Sequence, residues 1–312
     1  AAAGDMWYNS TSQTLKGVTN IAAWSSGGAL GTGRKAAASA GTQTAALWFG
    51  GSTSPDSTVN NNTESYNGTS WSELNNLNTA RGMMLGGAGT QTAALAFGGV
   101  LQTPPSNTQS NASETWDGTN WTEGNNLTTA RDKMAGFGTS TAALGAGGYR
   151  GVPETTFAFT EEYDGTSWSE QNDMSTARRY LQGFGTQTAG LVVGGAPPSV
   201  ITSSEEYDGS SWTTGGSLPT GRYTAGSAGA TSSAGLIMGG IDPGGNSVKT
   251  EQYDGTSWSA KPNMAAARKL TTGTGTTEAA LCAGGQNPPS TSNLTTTEEF
   301  GPVAATKTFT TS

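Results

Sequence analysis

The 312-residue chain contains no histidine and a single cysteine, Cys282. Without imidazoles it lacks the commonest general base and the commonest metal-ligating side chain, and one cysteine cannot form an internal disulfide. We therefore expect no catalytic residue, no cofactor and no bound metal. We expect Cys282 to be a small buried thiol, because a nucleophilic cysteine needs a base partner.

Charge and long apolar runs are also scarce. Only 12% of the residues are charged, and the net charge is −8 without any cluster of Lys or Arg. Because such a surface repels a nucleic-acid backbone, we predict no nucleic-acid partner. No apolar run approaches the ~20 residues that cross a bilayer, so we predict no membrane insertion. Residues 1–5 lack the basic start and apolar stretch of a signal peptide, which indicates a mature chain or an excised domain.

Large apolar side chains are fewer than in most globular proteins. Apolar residues make up 33% of the chain, whereas 47 residues are glycine. A globular chain averages roughly 45–50% when glycine is counted as apolar, and this chain comes close to that only with its glycines. The core must therefore be built from Trp, Tyr, Ala and bare backbone.

The chain is rich in repetition. In each of six copies a Trp is followed ten residues later by an Arg, and 17 or 18 residues after the Arg comes the second Gly of a Gly-Gly pair. The copies recur every 44–50 residues, a period typical of propellers and solenoids. A residue repeated six times is more often scaffold than active site, so function is sought where the copies differ. The repeated residues are Trp24, Trp71, Trp121, Trp168, Trp212 and Trp258, and Arg34, Arg81, Arg131, Arg178, Arg222 and Arg268.

One copy predicts four strands. We predict a first strand at 131–139, a second at 142–148 that ends at a Gly pair, a third at 160–163 and a fourth at 168–170. The Asp-Gly at 164–165 separates two aromatic-bearing runs, and this is a strong hairpin signal because Gly accepts a positive φ. No helical period of apolar residues persists along the chain. Four antiparallel strands per repeat indicate propeller blades.

The pattern resembles the kelch-repeat family. The resemblance rests on the Gly-Gly pair after a short apolar strand, then Tyr163, Trp168 five residues later, and Arg178. It extends from Thr14 to Phe300, nearly the whole chain. The resemblance implies an all-β fold, a six-bladed β-propeller of four-stranded antiparallel blades.

The sequence departs from the kelch pattern in two places. Asp-Gly replaces the usual acidic-Pro turn, and Tyr149 is the single aromatic that follows a Gly pair. Variants as rich in Gly, Thr and Ser as this one are similar to those of virion fibre proteins and other surface proteins. Copper oxidases share the kelch fold, but they need the His ligands that this chain lacks.

The last copy has no Trp after Phe300, while the chain begins with an unpaired strand at 20–24 that ends in Trp24. We predict that this N-terminal strand completes the last blade and removes a free sheet edge. The predicted organisation is an attachment segment at 1–13, the propeller at 14–300 and a C-terminal strand at 301–312. The leftover segments 6–9 and 306–310 alternate like strands, and we expect them to pair with each other.

Two repeated features allow more than one interpretation. The arginines could form a cationic ring around an anionic ligand, or they could pair with backbone carbonyls or with acidic residues of the third strands. The carboxylates considered are Glu64, Glu114, Glu162, Glu206, Glu251 and Glu299. The Asp-Gly turns could supply calcium ligands, but each offers one carboxylate, whereas calcium takes six to eight oxygens. Turn formation already explains these aspartates.

The stretches between the Gly pairs and the third strands vary most. In a four-stranded blade they lie at the same end as the Trp-to-Arg connections, and variable loops on a rigid scaffold usually carry binding. Solvated surface loops are the alternative. The predicted ligand-binding residues are Tyr149, Arg150 and Phe157 in one such stretch, with Lys133, Arg179 and Tyr180 near the same rim. The variable stretches are 52–63, 100–113, 149–160, 196–204, 241–250 and 286–297.

Three functions remain in view. The first is a receptor-binding domain of a virion, such as a phage tail fibre, that recognises a cell-surface glycan or protein. Residues 4–16 favour it, because they are similar to short stretches that precede distal domains of phage fibres. The second is a secreted or surface structural protein of a microbe that assembles through its termini into oligomers or filaments. Both place the protein outside a cell or on a virion. The third, an enzyme, is disfavoured by the missing histidines.

Overall fold

The computed structural model of the chain describes residues 4–12, 14–53, 58–83, 86–103, 106–196, 199–287 and 292–309. Across these residues the structure is all β, with no helix and hence none long and apolar enough to cross a membrane. The all-β prediction is confirmed. Parts of four predicted variable stretches (54–57, 104–105, 197–198 and 288–291) and of the predicted terminal segments (1–3, 13 and 310–312) lie outside the described residues.

The strands recur with the period of the sequence repeat. The first twelve are β1 Met6–Asn9, β2 Thr14–Ser26, β3 Ala38–Thr42, β4 Ala45–Phe49, β5 Thr63–Tyr66, β6 Trp71–Leu74, β7 Gly86–Gly89, β8 Ala94–Phe97, β9 Val100–Thr103, β10 Ser106–Gln109, β11 Ser113–Trp116 and β12 Trp121–Glu123. The next ten are β13 Ala135–Thr139, β14 Ala142–Ala146, β15 Tyr149–Gly151, β16 Glu154–Thr156, β17 Thr160–Tyr163, β18 Trp168–Gln171, β19 Gln182–Thr186, β20 Ala189–Val193, β21 Ser204–Tyr207 and β22 Trp212–Thr214. The last nine are β23 Gly226–Thr231, β24 Ala234–Met238, β25 Ile241–Asp242, β26 Gly245–Asn246, β27 Thr250–Tyr253, β28 Trp258–Lys261, β29 Thr272–Gly275, β30 Ala280–Ala283 and β31 Thr297–Phe309.

Repeated antiparallel sheets, here numbered 1 to 6 along the chain, form the scaffold. Sheets 1 to 5 have four strands each: β3-β4-β5-β6, β7-β8-β11-β12, β13-β14-β17-β18, β19-β20-β21-β22 and β23-β24-β27-β28. Sheet 6 has five strands in the order β29-β30-β31-β2-β1. Three short hairpins, β9-β10, β15-β16 and β25-β26, follow the second strands of sheets 2, 3 and 5. This architecture is consistent with a β-propeller.

The predicted Asp-Gly turn forms as expected. In sheet 3 it joins Tyr163 to Trp168, which lie opposite each other with ring centroids 5.2 Å apart. Asp164 Oδ1 accepts the N–H groups of the two residues before Trp168, each at 2.8 Å, and Gly165 has a φ of +92°. The side chain therefore replaces a backbone acceptor and closes the turn locally.

The first strand is shorter than predicted. It begins at Ala135 rather than Arg131, because the backbone turns at Lys133, where φ is +57°. The second strand ends at Ala146, and both glycines of the following pair have positive φ. A Cβ at Gly147 would lie 2.6 Å from the carbonyl oxygen of Arg178 in sheet 4, so the close approach of two sheets requires glycine there.

The same Gly pair links each sheet to the next. The second glycine donates its N–H to the carbonyl oxygen of the Arg that begins the following sheet, at 2.8–3.0 Å in all six cases. For sheet 6 the donor is Gly285 and the acceptor is Arg34 of sheet 1, at 2.8 Å. The links therefore run from sheet 1 through sheet 6 and back to sheet 1.

The hydrophobic core lies between neighbouring sheets. Each buried cluster combines residues of two consecutive sheets, and one cluster joins Leu281 of sheet 6 to Trp48 of sheet 1. Cys282 is completely buried in the cluster between sheets 5 and 6, as predicted. The indole N–H groups also cross between sheets: Trp24 donates to Thr250, Trp71 to Thr297, Trp121 to Thr63 and Trp212 to Thr160, at 2.9–3.0 Å.

The repeated arginines are buried, and each pairs with a glutamate of the third strand in its own sheet. The pairs are Arg34–Glu64, Arg81–Glu114, Arg131–Glu161, Arg178–Glu205, Arg222–Glu251 and Arg268–Glu298. Three of the predicted partners, Glu162, Glu206 and Glu299, are therefore wrong by one residue. Strand side chains alternate between faces, so the neighbouring glutamate points the other way. Glu206 and Glu299 instead accept the hydroxyls of Tyr253 and Tyr66 from the next sheet.

Each ion pair also fixes the connection that enters its sheet. In five sheets the second carboxylate oxygen accepts, at 2.6–2.7 Å, the N–H of the residue three positions before the Arg. In five sheets the guanidinium donates, at 2.7–3.0 Å, to the carbonyl two residues before the Glu. Burial lowers the pKa of Arg131, and the Glu161 carboxylate opposes this effect.

The N-terminal strand pairs with the third strand of sheet 6. Trp24 lies opposite Phe300, which is the register of Trp168 and Tyr163 in sheet 3. The pairing continues past Phe300, and we call residues 14–23 of β2 and 301–309 of β31 the terminal ribbon. The expected pairing of segments 6–9 and 306–310 is wrong, because β2 lies between them and pairs with both β1 and β31.

We expect the Arg131→Met substitution to lower the free energy of unfolding by about 3–5 kcal/mol, because it leaves the Glu161 carboxylate buried without its cation. The double variant Arg131→Met/Glu161→Leu removes both charges and should recover most of this loss. Urea unfolding followed by tryptophan fluorescence measures both. Lys261→Met is the control and should change the stability by less than about 0.5 kcal/mol. Equal stabilities of the single and double variants would contradict the expectation.

Candidate functional site

The sheets present two chemically different ends. The loop end carries the Trp-to-Arg connections and the variable stretches, and the turn end carries the Asp-Gly turns. Apart from the six buried arginines, the chain has nine Lys and Arg residues. Seven of them lie in loop-end segments: Lys35, Lys133, Arg150, Arg179, Lys249, Lys261 and Lys269. The turn end carries the aspartates Asp117, Asp164, Asp208 and Asp254. The loop end therefore holds most of these cations, although carboxylates such as Asp132 and Asp242 lie beside them.

A left-handed residue stands two positions after each repeated Arg. These residues are Ala36, Met83, Lys133, Tyr180, Thr224 and Leu270, with φ between +52° and +62°. Four of them donate their N–H to the carbonyl of the equivalent residue in the preceding sheet: Ala36 to Leu270, Lys133 to Met83, Tyr180 to Lys133 and Thr224 to Tyr180, at 2.7–3.1 Å. These bonds hold Lys133 and Tyr180 side by side, although neither is glycine.

The hairpin of sheet 3 brings Tyr149 to the same place. The backbone of Tyr149 exchanges two hydrogen bonds with Asp132, at 2.8 and 3.0 Å. The Lys133 Nζ atom lies 4.0 Å from the centroid of the Tyr149 ring, and Arg179 Cζ lies 4.4 Å from it. Lys133 Nζ is also 5.3 Å from the Tyr180 ring. A cation over an aromatic face contributes about 0.5–2 kcal/mol.

Four of the predicted ligand-binding residues therefore form one unit, the tyrosine–cation cluster: Lys133, Tyr149, Arg179 and Tyr180. The other two belong to the base of the hairpin. Arg150 Cζ lies 5.6 Å from the Phe157 ring, which is buried and stacks on Phe159 with centroids 4.6 Å apart. Phe157 thus anchors the hairpin rather than facing solvent.

Two neighbours of the cluster were not singled out from the sequence. Asp132 is buried beside Lys133, with 3.5 Å between Oδ2 and Nζ. The Tyr223 ring lies 6.0 Å from the Tyr180 ring. Both stand directly after a repeated Arg, as Arg179 does, so an alignment of the six copies by that Arg would have found them.

Burial and neighbouring charges set the protonation of the site. Burial raises the pKa of Asp132 to about 6, although the adjacent Lys133 cation opposes the rise. The pKa of Lys133 is lowered, mainly by burial. The Asp132 carboxylate opposes this effect, whereas the Arg179 cation adds to it. Burial raises the pKa of Tyr180 to about 12, and burial together with Glu154 raises that of Tyr149. Both tyrosines are therefore neutral donors at neutral pH.

The other candidate sites are occupied by structural contacts. All six repeated arginines are at most 1% exposed and paired with glutamates, which leaves no cationic ring for a ligand. The Asp-Gly aspartates already accept two backbone N–H groups each, and these bonds lower their pKa values. No group of three or more metal-ligating side chains occurs within the described ranges.

A cavity of about 370 Å³ lies between the first strands of the sheets. Its wall begins directly after the left-handed residues and consists of small side chains and backbone, such as Ala38, Ser39 and Gly136. Several lining hydroxyls are satisfied by wall carbonyls, as in Ser39 to Gly273 at 2.9 Å. The cavity is therefore a structural consequence of the arrangement, and the distinctive chemistry lies at the loop end.

No protein-family model matches the chain, and no curated protein is significantly similar to it. The function is therefore inferred from the chemistry of the loop end itself.

We expect Asp132 to make the protein more stable at pH 5 than at pH 7.5. Its pKa is about 6 in the folded protein and about 4 in an unfolded chain. The folded state therefore holds this proton more tightly, and the resulting stability is lost as the pH rises through 6. Two pKa units correspond to about 3 kcal/mol at most.

Thermal unfolding of wild type and Asp132→Asn at both pH values measures this effect. The variant cannot titrate, so the gain from pH 7.5 to pH 5 should shrink by up to about 1.4 kcal/mol, because pH 5 lies one unit below the folded pKa and the rest of the effect appears only below pH 4. The control is Asp117→Asn in an exposed turn. The pKa of Asp117 is lowered in the folded protein, so its contribution to stability is present above about pH 4 and is lost on acidification below that pH. Asp117 therefore shifts stability with pH in the direction opposite to Asp132. An unchanged gain in Asp132→Asn would contradict the expectation.

Proposed function

We propose that the six sheets are the blades of a closed, kelch-like β-propeller whose ring is completed by the N-terminal strand. The Gly-to-Arg hydrogen bonds that return from sheet 6 to sheet 1 support this, as does the buried cluster that those two sheets share. The pairing of β2 with β31 supplies the fourth strand of sheet 6. The Gly-Gly, Tyr, Trp and Arg positions of the repeat support the likeness to kelch proteins.

We infer that the propeller is a non-catalytic binding module that recognises a cell-surface glycan or protein with its loop end. The tyrosine–cation cluster carries this inference. The six copies share one backbone at this position, and among the residues that the structure describes the cation–ring contacts and the tyrosine pair occur at sheets 3 to 5. A scaffold position would be filled alike in every copy. Catalysis is disfavoured because the chain has no histidine and burial raises the pKa of its one thiol.

The terminal ribbon supports a place at the tip of a larger assembly, and we propose a virion appendage such as a phage tail fibre. In sheets 1 to 5 the third and fourth strands are joined by a turn, whereas in sheet 6 they continue as the ribbon. Nine residue pairs at ~3.3 Å per residue extend about 30 Å from the turn end. Attachment would then lie opposite the loop end, which leaves the loop end free for a receptor on the cell surface.

An extracellular structural protein that assembles into filaments is the second candidate. Exposed apolar side chains on and beside the ribbon favour it: Met6 is 60% exposed, Tyr8 62% and Ile21 48%. Solitary exposed apolar residues are ordinary, but a concentration on one projecting element suits contact with other subunits.

Binding of the purified chain to a glycan array and to whole microbial cells tests the binding function. We expect specific binding that the double variant Lys133→Ala/Arg179→Ala weakens at least 10-fold, because it removes both cations from the cluster. Lys16→Ala removes a cation from the ribbon and is the control that should bind like wild type. Circular dichroism verifies that the variants are folded. Absence of binding to every glycan and cell, with concentration-dependent filaments instead, would favour the structural protein.

A further inference from the structure

Resting on the proposed binding function, we propose that the tyrosine–cation cluster binds the carboxylate of an acidic sugar, such as a sialic or uronic acid unit of a surface glycan. Arg179 receives the carboxylate, Lys133 adds a second cation, and Tyr180 and the neighbouring Tyr223 contact the sugar ring. The inference rests on charge, on the geometry of Arg179 and on the aromatic surface, in that order.

The first observation is a pair of cations at one ring. Lys133 and Arg179 both lie within 4.4 Å of the Tyr149 centroid. Lys133 has Asp132 as its ion-pair partner, at 3.5 Å. Arg179 forms no ion pair with any carboxylate among the residues that the structure describes. Glu154 lies at the exposed edge of the hairpin, where its carboxylate raises the pKa values of Tyr149 and Lys133. An anion at Arg179 would relieve the repulsion between the two cations.

The second observation is the contrast between Arg179 and the residue before it. Arg178 is fully buried, with Glu205 at 2.7 Å and the Ser203 carbonyl at 2.9 Å as partners. Arg179 is half-buried, and its guanidinium has aromatic rings as neighbours, with Tyr149 4.4 Å and Tyr180 6.0 Å from its Cζ atom. The guanidinium is a rigid, planar fork that matches a planar carboxylate with two parallel hydrogen bonds. The ring of Tyr149 holds this fork in place at the loop end.

The third observation is the aromatic surface beside the fork. Tyr180 and Tyr223 lie 6.0 Å apart with their rings inclined by 51°. Tyrosines combine an apolar face, which suits the C–H face of a pyranose, with a hydroxyl that bonds sugar oxygens. Burial keeps the Tyr180 hydroxyl protonated, because it raises its pKa to about 12. An acidic sugar uses both the cations and these rings, whereas a neutral sugar would leave Arg179 without a carboxylate.

Isothermal titration of the full chain with four small probes tests the proposal. The probes are sialyllactose, a glucuronate-containing hyaluronan hexasaccharide, neutral lactose and sulfated lactose. We expect sialyllactose or the hexasaccharide to bind at least 10-fold more tightly than lactose, and the better of the two identifies the source of the carboxylate. Arg179→Gln should weaken that binding at least 10-fold, and Arg179→Lys should restore part of it, since lysine keeps the charge but not the fork.

Lys249→Gln is the matched control, because it removes one charge from the same end, where its side chain is 45% exposed and pairs with Asp242. It should leave the affinity within 2-fold of wild type. Three results would overturn the proposal. The Arg179 and Lys249 substitutions could weaken binding equally, sulfated lactose could bind more tightly than the carboxylated probes, or lactose could bind as tightly as the carboxylated probes. Binding to cells without binding to either acidic probe would overturn it too, while leaving the binding function intact. If the wild-type chain binds neither the probes nor any cell, the acidic-sugar proposal and the proposed binding function are both wrong.

Discussion

The buried Arg–Glu pair is the interaction on which the rest of the architecture depends. Its side chains hold the start of a sheet to that sheet's third strand, and its carboxylate also fixes the connection that enters the sheet. The backbone carbonyl of the same Arg accepts the Gly N–H of the preceding sheet. One residue therefore sets the position of two sheets. Burial of two charges costs much of what their attraction contributes, so the pair serves register more than stability. A glycine pair with positive φ is its necessary counterpart, because only glycine lets the preceding strand come this close.

The site follows from this constraint. Once the Arg is fixed, the next two residues are held at the loop end by a left-handed turn and by hydrogen bonds between sheets. The scaffold thus offers the same two positions in every copy and is indifferent to the side chains there. Sheets 3 and 4 use them for Lys133, Arg179 and Tyr180, whereas sheet 1 has Ala36 at the left-handed position. Binding chemistry can change at these positions without disturbing the ion pair, which separates the requirements of folding from those of recognition.

The repeat made most of the sheets predictable, but it did not reveal the register of the buried pair. Trp spacing, Asp-Gly turns and Gly pairs located the second, third and fourth strands to within two residues. Adjacent glutamates, such as Glu161 and Glu162, have the same chemistry, and only strand alternation relative to the core decides which one faces the Arg. The left-handed backbone at Lys133 could not be predicted from the sequence either. A positive φ is usually inferred from glycine, whereas hydrogen bonds between sheets impose it on Lys133. The candidate site residues could be predicted because they differ between copies of the repeat. Asp132 and Tyr223 were missed, because the residues that directly follow the repeated Arg were not compared between copies.

Charged side chains have different partners at the two ends of the molecule. Four aspartates at the turn end accept the hydrogen bonds of local turns, and six glutamates pair with arginine in the interior, so the net charge of −8 does not by itself describe the loop end. Cations there stand beside tyrosines, where a ligand can displace water from both. The terminal ribbon leaves the opposite end and carries exposed apolar side chains. An apolar, strand-based extension at one end and a cationic, aromatic surface at the other are the two features that the proposed module requires, the first for its anchoring and the second for its binding.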